Sequence, residues 1–343
     1  MRYRPFGRTG LQVSAMGFGC WPMAGDRYGA IEDDEAIAAV RRALDLGVTC
    51  FDTAPGYGAG HSEEVLGRAL GGRRKEIVLV TKCGIYFPPG SKTTSRDSSR
   101  ANVLREIEVS LQRLGTDYAD VLLVHWPDPN TPFEETMHAL DEVVQSGKAR
   151  FVGVSNFTVE QLKECMPVRR IDVVQVGYHL FDRRQEREMF PYCAEHGIGV
   201  MGYGSLAHGL LTGAFTPQTT FDANDWRAGG VAFGQPLFRG QNFQANLAVV
   251  ERLKHEVAEP RGVPLSQVAL AWVLRNPVVS TALVGARTPA EVDANVAGAE
   301  LQLSDEEVAR IEQIVRGAAG RVNEFTPLRV PIEQWGEELP VGS

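Results

Sequence analysis

The chain has little that would tie it to a membrane, a nucleic acid or a metal. No run approaches the roughly 18 consecutive apolar residues of a membrane span, and the opening MRYRPFGRTG has no apolar signal core. Neither a spanning helix nor a leader is therefore expected. Five cysteines (Cys20, Cys50, Cys83, Cys165, Cys193) lie scattered without CxxC spacing, which argues against a disulfide framework or zinc ribbon and for a reducing compartment. The seven histidines form no HxH pair, which weakens any metal-dependent hydrolase reading. Net charge is −8, and the basic clusters Arg73-Arg74-Lys75 and Arg183-Arg184 are short and isolated. A nucleic-acid partner needs a basic stripe, and none is present. No GxGxxG follows the first strand, so a dinucleotide-binding doubly wound sheet is not indicated. These absences point to a cytoplasmic protein with neither nucleic acid nor membrane as partner.

What is present is an ordinary globular composition, 43% hydrophobic and 23% charged over 343 residues. No linker or low-complexity tract breaks the chain, so residues 1–343 are read as a single domain. Strand-like runs recur at 14–19, 49–54, 77–82, 120–125, 149–155, 172–179, 197–204 and 280–285. Most are continuously apolar, the mark of parallel strands covered on both sides. Helical patterns separate them. In DDEAIAAVRRALDLG, Ile37, Val40 and Leu44 share one face and Gly47 supplies a stop; ANVLREIEVSLQRLG repeats the design with Leu104, Ile107, Leu111 and Leu114. Ser304 and Glu307 stand at capping-box spacing. Eight alternations fit an α/β fold of the closed (β/α)8 (TIM barrel) kind better than an open sheet. YRPFGRTGLQV reads as an N-terminal capping hairpin, and the stretch after residue 318 as a C-terminal tail.

Barrel enzymes build their sites at the C-terminal ends of strands. Here those ends carry Asp52, Lys82, His125, Ser155-Asn156, Gln175 and Tyr203, with Tyr57 just beyond the second strand. Each alone has an ordinary explanation as a cap, a solvated end or a packed ring. Together they make chemistry. A tyrosine is a poor acid near neutral pH, with a free pKa of about 10. A neighbouring lysine held by an aspartate is expected to lower that value, and a histidine across the pocket can bind an oxygen that gains charge. The set suits protonating a carbonyl oxygen or deprotonating an alcohol. The hydride that completes such a reaction has to come from a cofactor.

With these residues in view, the sequence resembles the aldo-keto reductases. FDTAPGYGAGHSEEVLG (51–67) is similar to that family's aspartate–tyrosine signature, VTKCG (80–84) to its lysine strand and LLVHWPD (122–128) to its histidine strand. VGVSNF, VVQVGYH, GYGSLAHGLLTG and VGARTPAEVDANV follow in family order, so the resemblance covers about residues 2 to 300. It implies NADPH-dependent reduction of an aldehyde or ketone, reversible, with hydride from nicotinamide C4 and the proton from Tyr57. The catalytic set would be Asp52, Tyr57, Lys82 and His125. Ser155, Asn156 and Gln175 would hold the carboxamide, with Tyr203 stacked on the ring and Asp52, Cys20 and Trp21 bordering it. Gly204, Ser205, Leu206, Ala207 and His208 would approach the pyrophosphate, and Gly285, Arg287, Thr288, Glu291 and Asn295 would surround the adenosine end. The family usually has Ser-Pro where this chain has Gly204-Ser205.

The long segment 219–243, rich in glycine and aromatics, reads as a flap, with Trp226 and Arg227 its contacts. Trp21, Tyr57, Tyr86, Phe87, His125, Trp126 and Trp226 are the expected pocket wall, and Trp335 in the tail is a further candidate. Arg287 and Thr288 favour the extra phosphate of NADPH, while the carboxylate of Glu291 opposes it and leaves NADH possible. An ion pair between Arg287 and Glu291 across one turn would mute that repulsion. The substrate is a small carbonyl or alcohol compound of unspecified identity, and oligomeric state is not legible. Two alternatives remain: a nicotinamide-nucleotide-binding regulatory subunit with little turnover, and a Schiff-base aldolase using Lys82.

Overall fold

The computed structural model describes residues 1–25, 27–86, 95–223 and 225–320. Phe87 and Trp335 lie outside the described residues. The chain opens with the expected hairpin: β1 (Tyr3–Pro5) and β2 (Gln12–Ser14) pair antiparallel. At its turn Gly7 has a left-handed φ of +58°, and a Cβ there would lie 2.3 Å from the Gly199 nitrogen. Only glycine lets this turn press so closely on the barrel floor. Phe6 is fully buried against the apolar side chains inside the barrel, and the Arg4 guanidinium donates to the carbonyls of Leu274, Asn276 and Val279.

The remaining strands are β3 (Met16–Gly19), β4 (Cys50–Asp52), β5 (Val78–Cys83), the short β6 (Ile85–Tyr86) and β7 (Ser95–Arg96), β8 (Ala119–Val124), β9 (Ala149–Ser155), β10 (Val173–Gly177), β11 (Gly199–Tyr203) and β12 (Val279–Val284). All eight expected strand runs form strands. They close in the order β3-β4-β5-β8-β9-β10-β11-β12, parallel throughout, while β6 and β7 make a separate antiparallel ribbon above β5.

Helices cover the outside. After β3 to β5 come α1 (Asp33–Asp45), α2 (His61–Leu70) and α3 (Arg100–Leu114); after β8 to β10 come α4 (Phe133–Gln145), α5 (Val159–Cys165) and α6 (Met189–His196). β11 is followed by two, α7 (Gly240–Leu253) and α8 (Leu265–Arg275), and β12 by α9 (Pro289–Glu300) and α10 (Asp305–Val315). The local signals explain the ends. Three acids open α1, Ser99 caps α3 by accepting from Asn102 N, Gly115 ends α3 at φ +63°, and Ser304 and Glu307 form a complete capping box on α10. The inner faces differ in detail from expectation. On α1 the buried residues are Ala36, Ala39, Val40, Ala43 and Leu44, whereas Ile37 is only half-buried, as is Leu104 on α3. Small alanines let α1 lie close to its neighbours, which rotates the bulkier Ile37 toward the helix flank.

Two apolar layers result, one between strands and helices and one inside the barrel. The inner layer contains Cys50, Val78, Val80, Val121, Leu123, Val173 and Met201. Strand side chains alternate with a period of two, so counting upward by two from these residues gives the next inward positions. Those positions are Asp52 on β4, Lys82 on β5, His125 just past β8, Gln175 on β10 and Tyr203 on β11. The upper end of the barrel interior is thus polar where the lower end is apolar. Among the described residues no helix is long and apolar enough to cross a membrane.

Candidate active site

Lys82 is the hub of this polar layer. It is fully buried, and its ammonium lies 2.9 and 2.8 Å from the two carboxylate oxygens of Asp52, 2.9 Å from the Thr53 carbonyl and 3.1 Å from the Tyr57 hydroxyl. An ammonium has three N–H donors, and this arrangement uses all of them. Asp52 also accepts from the Gln175 amide at 2.7 Å. That contact answers how an amide is tolerated in the run VVQV: it braces Asp52 from across the barrel. Burial pushes the Asp52 carboxyl up, against the pull of Lys82 and Gln175.

Tyr57 departs from expectation in one respect. A lysine neighbour alone would depress the phenol, yet burial raises it well above its ordinary value, and Asp52 adds in the same direction. Burial is the larger effect, and the ammonium beside the phenol, whose charge is shared with the Asp52 carboxylate, does not offset it. The resting hydroxyl is therefore neutral and holds its proton. Its ring stacks on Trp21 (centroids 5.7 Å apart, 17° between planes) and meets His125 edge-on at 5.6 Å.

His125 is held by its backbone, its N–H donating to the Cys83 carbonyl at 2.9 Å. Burial pushes its imidazole well below the ordinary value, and Lys82 and Arg96 push the same way, so the ring is neutral. Nδ1 is buried and has no hydrogen-bond partner among the described residues. A bare acceptor is less costly there than an orphaned donor, which favours the tautomer with the proton on Nε2, the nitrogen left for the cavity. Beside it, Asn156 has a left-handed φ of +65°, and its side chain spans the site. Its Nδ2 donates to the His125 carbonyl and the Ser155 hydroxyl, and its Oδ1 accepts from the Tyr203 hydroxyl at 2.8 Å.

These groups open into one cavity of about 530 Å3 that runs from Tyr57 and His125 to Arg287, Glu291 and Asn295 at α9. Most of the expected site residues line it: Trp21, Asp52, Tyr57, His125, Trp126, Ser155, Asn156, Gln175, Tyr203, Gly204, Ser205, Leu206, His208, Trp226, Arg227, Gly285, Arg287, Glu291 and Asn295. Five expected residues stand elsewhere. Lys82 is covered by Asp52 and Tyr57. Cys20 lies fully buried under the wall, its N–H on the Asp52 carbonyl. Ala207 is buried within its turn, Thr288 serves as the N-cap of α9, and Tyr86 is committed to the ribbon with β7.

The Gly204-Ser205 departure has a structural counterpart. Gly204 sits at φ +66°, and a Cβ would come within 2.9 Å of the His208 ring. Ala207 and His208, both left-handed as well, continue a tight coil of backbone beside the cavity. Burial keeps the His208 imidazole neutral, with His179 adding to the effect.

The lining residues that were not foreseen include Arg27 and Tyr28 after the first barrel strand, and Phe233 in the long loop. Phe233 occupies the first corner of a tight turn closed by paired Ala232 and Gln235, with φ +47°. Its ring lies 5.2 Å from Tyr203, 5.1 Å from His208, 6.3 Å from Trp21 and 6.4 Å from Trp126. Those partners belong to or follow β3, β8 and β11, so the Phe233 ring joins three sides of the cavity mouth. The aromatic content of the 219–243 loop was the available signal, though it did not single out this ring.

At the far end, the expected Arg287–Glu291 ion pair is replaced by a different contact. Glu291 accepts from the backbone N–H of Arg287 at 2.7 Å, Thr288 accepts from Glu291 N, and the Arg287 guanidinium turns to the Ala30 carbonyl. A carboxylate thereby occupies the first turn of α9, where the helix dipole favours negative charge.

Comparison with known proteins agrees with this geometry. The profile described as the Aldo/keto reductase family matches residues 15–316. Aldo-keto reductase YhdN of Bacillus subtilis (strain 168) is 37% identical over 296 residues, covering 86% of this chain and 87% of that protein. The NADH-specific methylglyoxal reductase of Escherichia coli (strain K12) is 31% identical over 328 residues, covering 92% and 98%. Among solved structures, the glycerol dehydrogenase AKR11B4 from Gluconobacter oxydans superposes with a TM-score of 0.83 at 34% identity, covering 94% of this chain and 97% of that one.

Proposed function

The chain belongs to the aldo/keto reductase family, and from that premise we propose that it reduces an aldehyde or ketone with NADPH, Tyr57 delivering the proton. The observation that carries this reading is the position of the Tyr57 hydroxyl, 3.1 Å from the Lys82 ammonium and at the cavity wall beside His125. A carbonyl oxygen placed between Tyr57 and His125 would meet the proton of the phenol and the Nε2–H of a neutral imidazole. As negative charge develops on that oxygen, both donors strengthen, and the buried setting magnifies their effect. Lys82 then stabilises the phenolate left behind, and Asp52 fixes Lys82.

A nicotinamide cofactor, when bound, supplies the hydride that no side chain can. The residues fit such a group. Ser155, Asn156 and Gln175 offer amide and hydroxyl groups beside Tyr203, the glycine-containing coil 204–209 admits close backbone approach, and α9 opens on the far end. Replacing Tyr203 by Ala is expected to weaken cofactor binding by about 1 kcal/mol or more, the scale of an aromatic stacking pair. Tyr203→Phe keeps the ring and loses only the bond to Asn156, so it should bind nearly normally. Fluorescence titration of both variants checks this, and an unchanged affinity in the Ala variant removes the ring from the site.

The same surroundings argue against the aldolase alternative. A Schiff-base lysine has to lose its proton, whereas Lys82 faces only acceptors, one of them charged. A panel of aldehydes, ketones and alcohols with NADPH and NADH, followed by reduced-nicotinamide absorbance, tests the reading. Absence of turnover with every pair would leave the nucleotide-binding subunit in its place.

The preference for NADPH is modest, because Glu291 sits beside the place where the distinguishing phosphate would lie. Glu291 is exposed, so its repulsion is screened to about 1 kcal/mol, roughly fivefold in affinity. Glu291→Gln retains an acceptor for the Arg287 N–H and removes the charge. It should tighten NADPH by about that factor and leave NADH unchanged; an unmoved NADPH dissociation constant, or better use of NADH by the wild type, would overturn this assignment.

A further inference from the structure

We propose that Glu106, on α3, is a positioning residue that locks the lysine strand to the histidine strand through one peptide unit, Cys83–Gly84. The inference rests on the reading of Lys82 and His125 given above. The geometry is compact. The carbonyl of that unit, on Cys83, accepts the His125 N–H at 2.9 Å, and its N–H, on Gly84, donates to Glu106 Oε2 at 2.6 Å. Lys82 precedes the unit by one residue, and Ile85, which lines the cavity, follows it. Gly84 turns at φ +86°, where a Cβ would lie 2.7 Å from the Ser98 hydroxyl, so the chain swings there from the barrel into the ribbon. At this corner the ladder, in which Cys83 is still paired with Val124, holds only the carbonyl side of the unit. Glu106 holds the N–H side from outside the barrel.

A carboxylate is a costly way to hold one amide. Glu106 is only 7% exposed, and burial lifts its carboxyl to about 7. The Gly84 N–H, Arg105 and Asn102 oppose that rise and Asp97 adds to it; Cys83 on β5 is itself pushed up by burial and by Glu106. The sign follows from a folded value above the ordinary carboxylate one. Stability from this group is complete when it is protonated and is lost as pH rises through about 7. A glutamine could accept the same N–H without that loss. What the charge adds is polarisation: an ionised acceptor draws on the Gly84 N–H and strengthens the Cys83 carbonyl as an acceptor for His125.

The experiment compares Glu106→Ala, Glu106→Gln and wild type. Glu106→Ala orphans the Gly84 N–H, and kcat should fall by about tenfold or more, since small misplacements of reacting groups are costly, with cofactor affinity within about twofold of wild type. Glu106→Gln should restore most of kcat and abolish an inflection near pH 7 that the wild type shows. Hydrogen exchange at Gly84 and His125 reads the anchor without turnover: protected in wild type and Gln, faster in Ala. A wild type that exchanges as expected but reduces no carbonyl would sink the functional reading and leave the anchor standing. An Ala variant with wild-type kcat and exchange, or a Gln variant that keeps the inflection, would overturn the role of Glu106. Should the Ala variant fail to fold, the Gln comparison decides alone.

Discussion

Replacing Tyr57 by Phe is expected to lower kcat for carbonyl reduction by about 10²–10⁴-fold, the usual contribution of a general acid, which is roughly 3–5 kcal/mol of barrier. The substitution is narrow. The ring keeps its stack on Trp21 and its edge contact with His125, so the pocket wall is preserved. The Lys82 ammonium loses one acceptor and keeps Asp52 and Thr53. Cofactor affinity and melting temperature should therefore stay close to wild type, which separates loss of a proton donor from loss of structure. Because burial raises the phenol well above its ordinary value, the protonated donor persists through neutral and mildly alkaline pH. Reduction by the wild type should accordingly show no loss of rate from Tyr57 until well above neutrality. A Tyr57→Phe variant that keeps a third of wild-type kcat would remove Tyr57 from the proton-donor role.

The parts of this site that were legible in the sequence are those governed by strand periodicity. Val78, Val80 and Lys82 point the same way because alternate residues of a strand share a face. The same count from Val121 through Leu123 leads to His125, and from Val173 to Gln175. Once eight buried runs imply a barrel, the inward set at their upper ends needs no further information. Loop residues obey no such rule. Phe233 reaches the cavity because a turn between Ala232 and Gln235 is braced by the Gln235 amide on the Phe181 carbonyl and by Arg184 on the Phe233 carbonyl. Those contacts join segments some 50 positions apart, which local pattern does not encode. Electrostatics failed for a related reason. Lysine and aspartate beside tyrosine read as a depressed phenol only while burial, the larger effect, is left out of account, and the depth of burial is set by the assembled barrel rather than by local sequence. At α9, the Glu291 side chain could have paired with a guanidinium or capped an amide, and backbone geometry selected the amide.

Lys82→Met should be the most damaging single substitution for the fold as well as for the reaction. Asp52 is 3% exposed, and its partners are Lys82 and Gln175. Removing the ammonium leaves a buried carboxylate with one neutral donor, and breaking a buried pair in this way costs about 3–5 kcal/mol. The pH dependence has a definite sign. Burial already raises the Asp52 carboxyl, and losing Lys82 raises it further, since the ammonium is the largest influence holding it down. A group raised in the folded state contributes its stability below its unfolded value and loses it as pH climbs through the folded one. The melting-temperature gap between wild type and Lys82→Met should therefore widen as pH rises. Adding Asp52→Asn removes the uncompensated charge and keeps a polar partner for Gln175, so the double variant should recover much of the lost stability, a coupling on the order of 1–3 kcal/mol. It should recover no activity, because the phenolate formed on proton transfer would still lack its cation, and a loss of about 10²-fold or more is expected in both variants. Thermal melts across pH on the four members of the cycle, with kcat beside them, carry the test. A double variant no more stable than Lys82→Met would mean that the Asp52 charge is not what the lysine answers. A gap that narrows with rising pH would reverse the sign of the argument, and a Lys82→Met enzyme with substantial turnover would show that Tyr57 needs no cation to give up its proton.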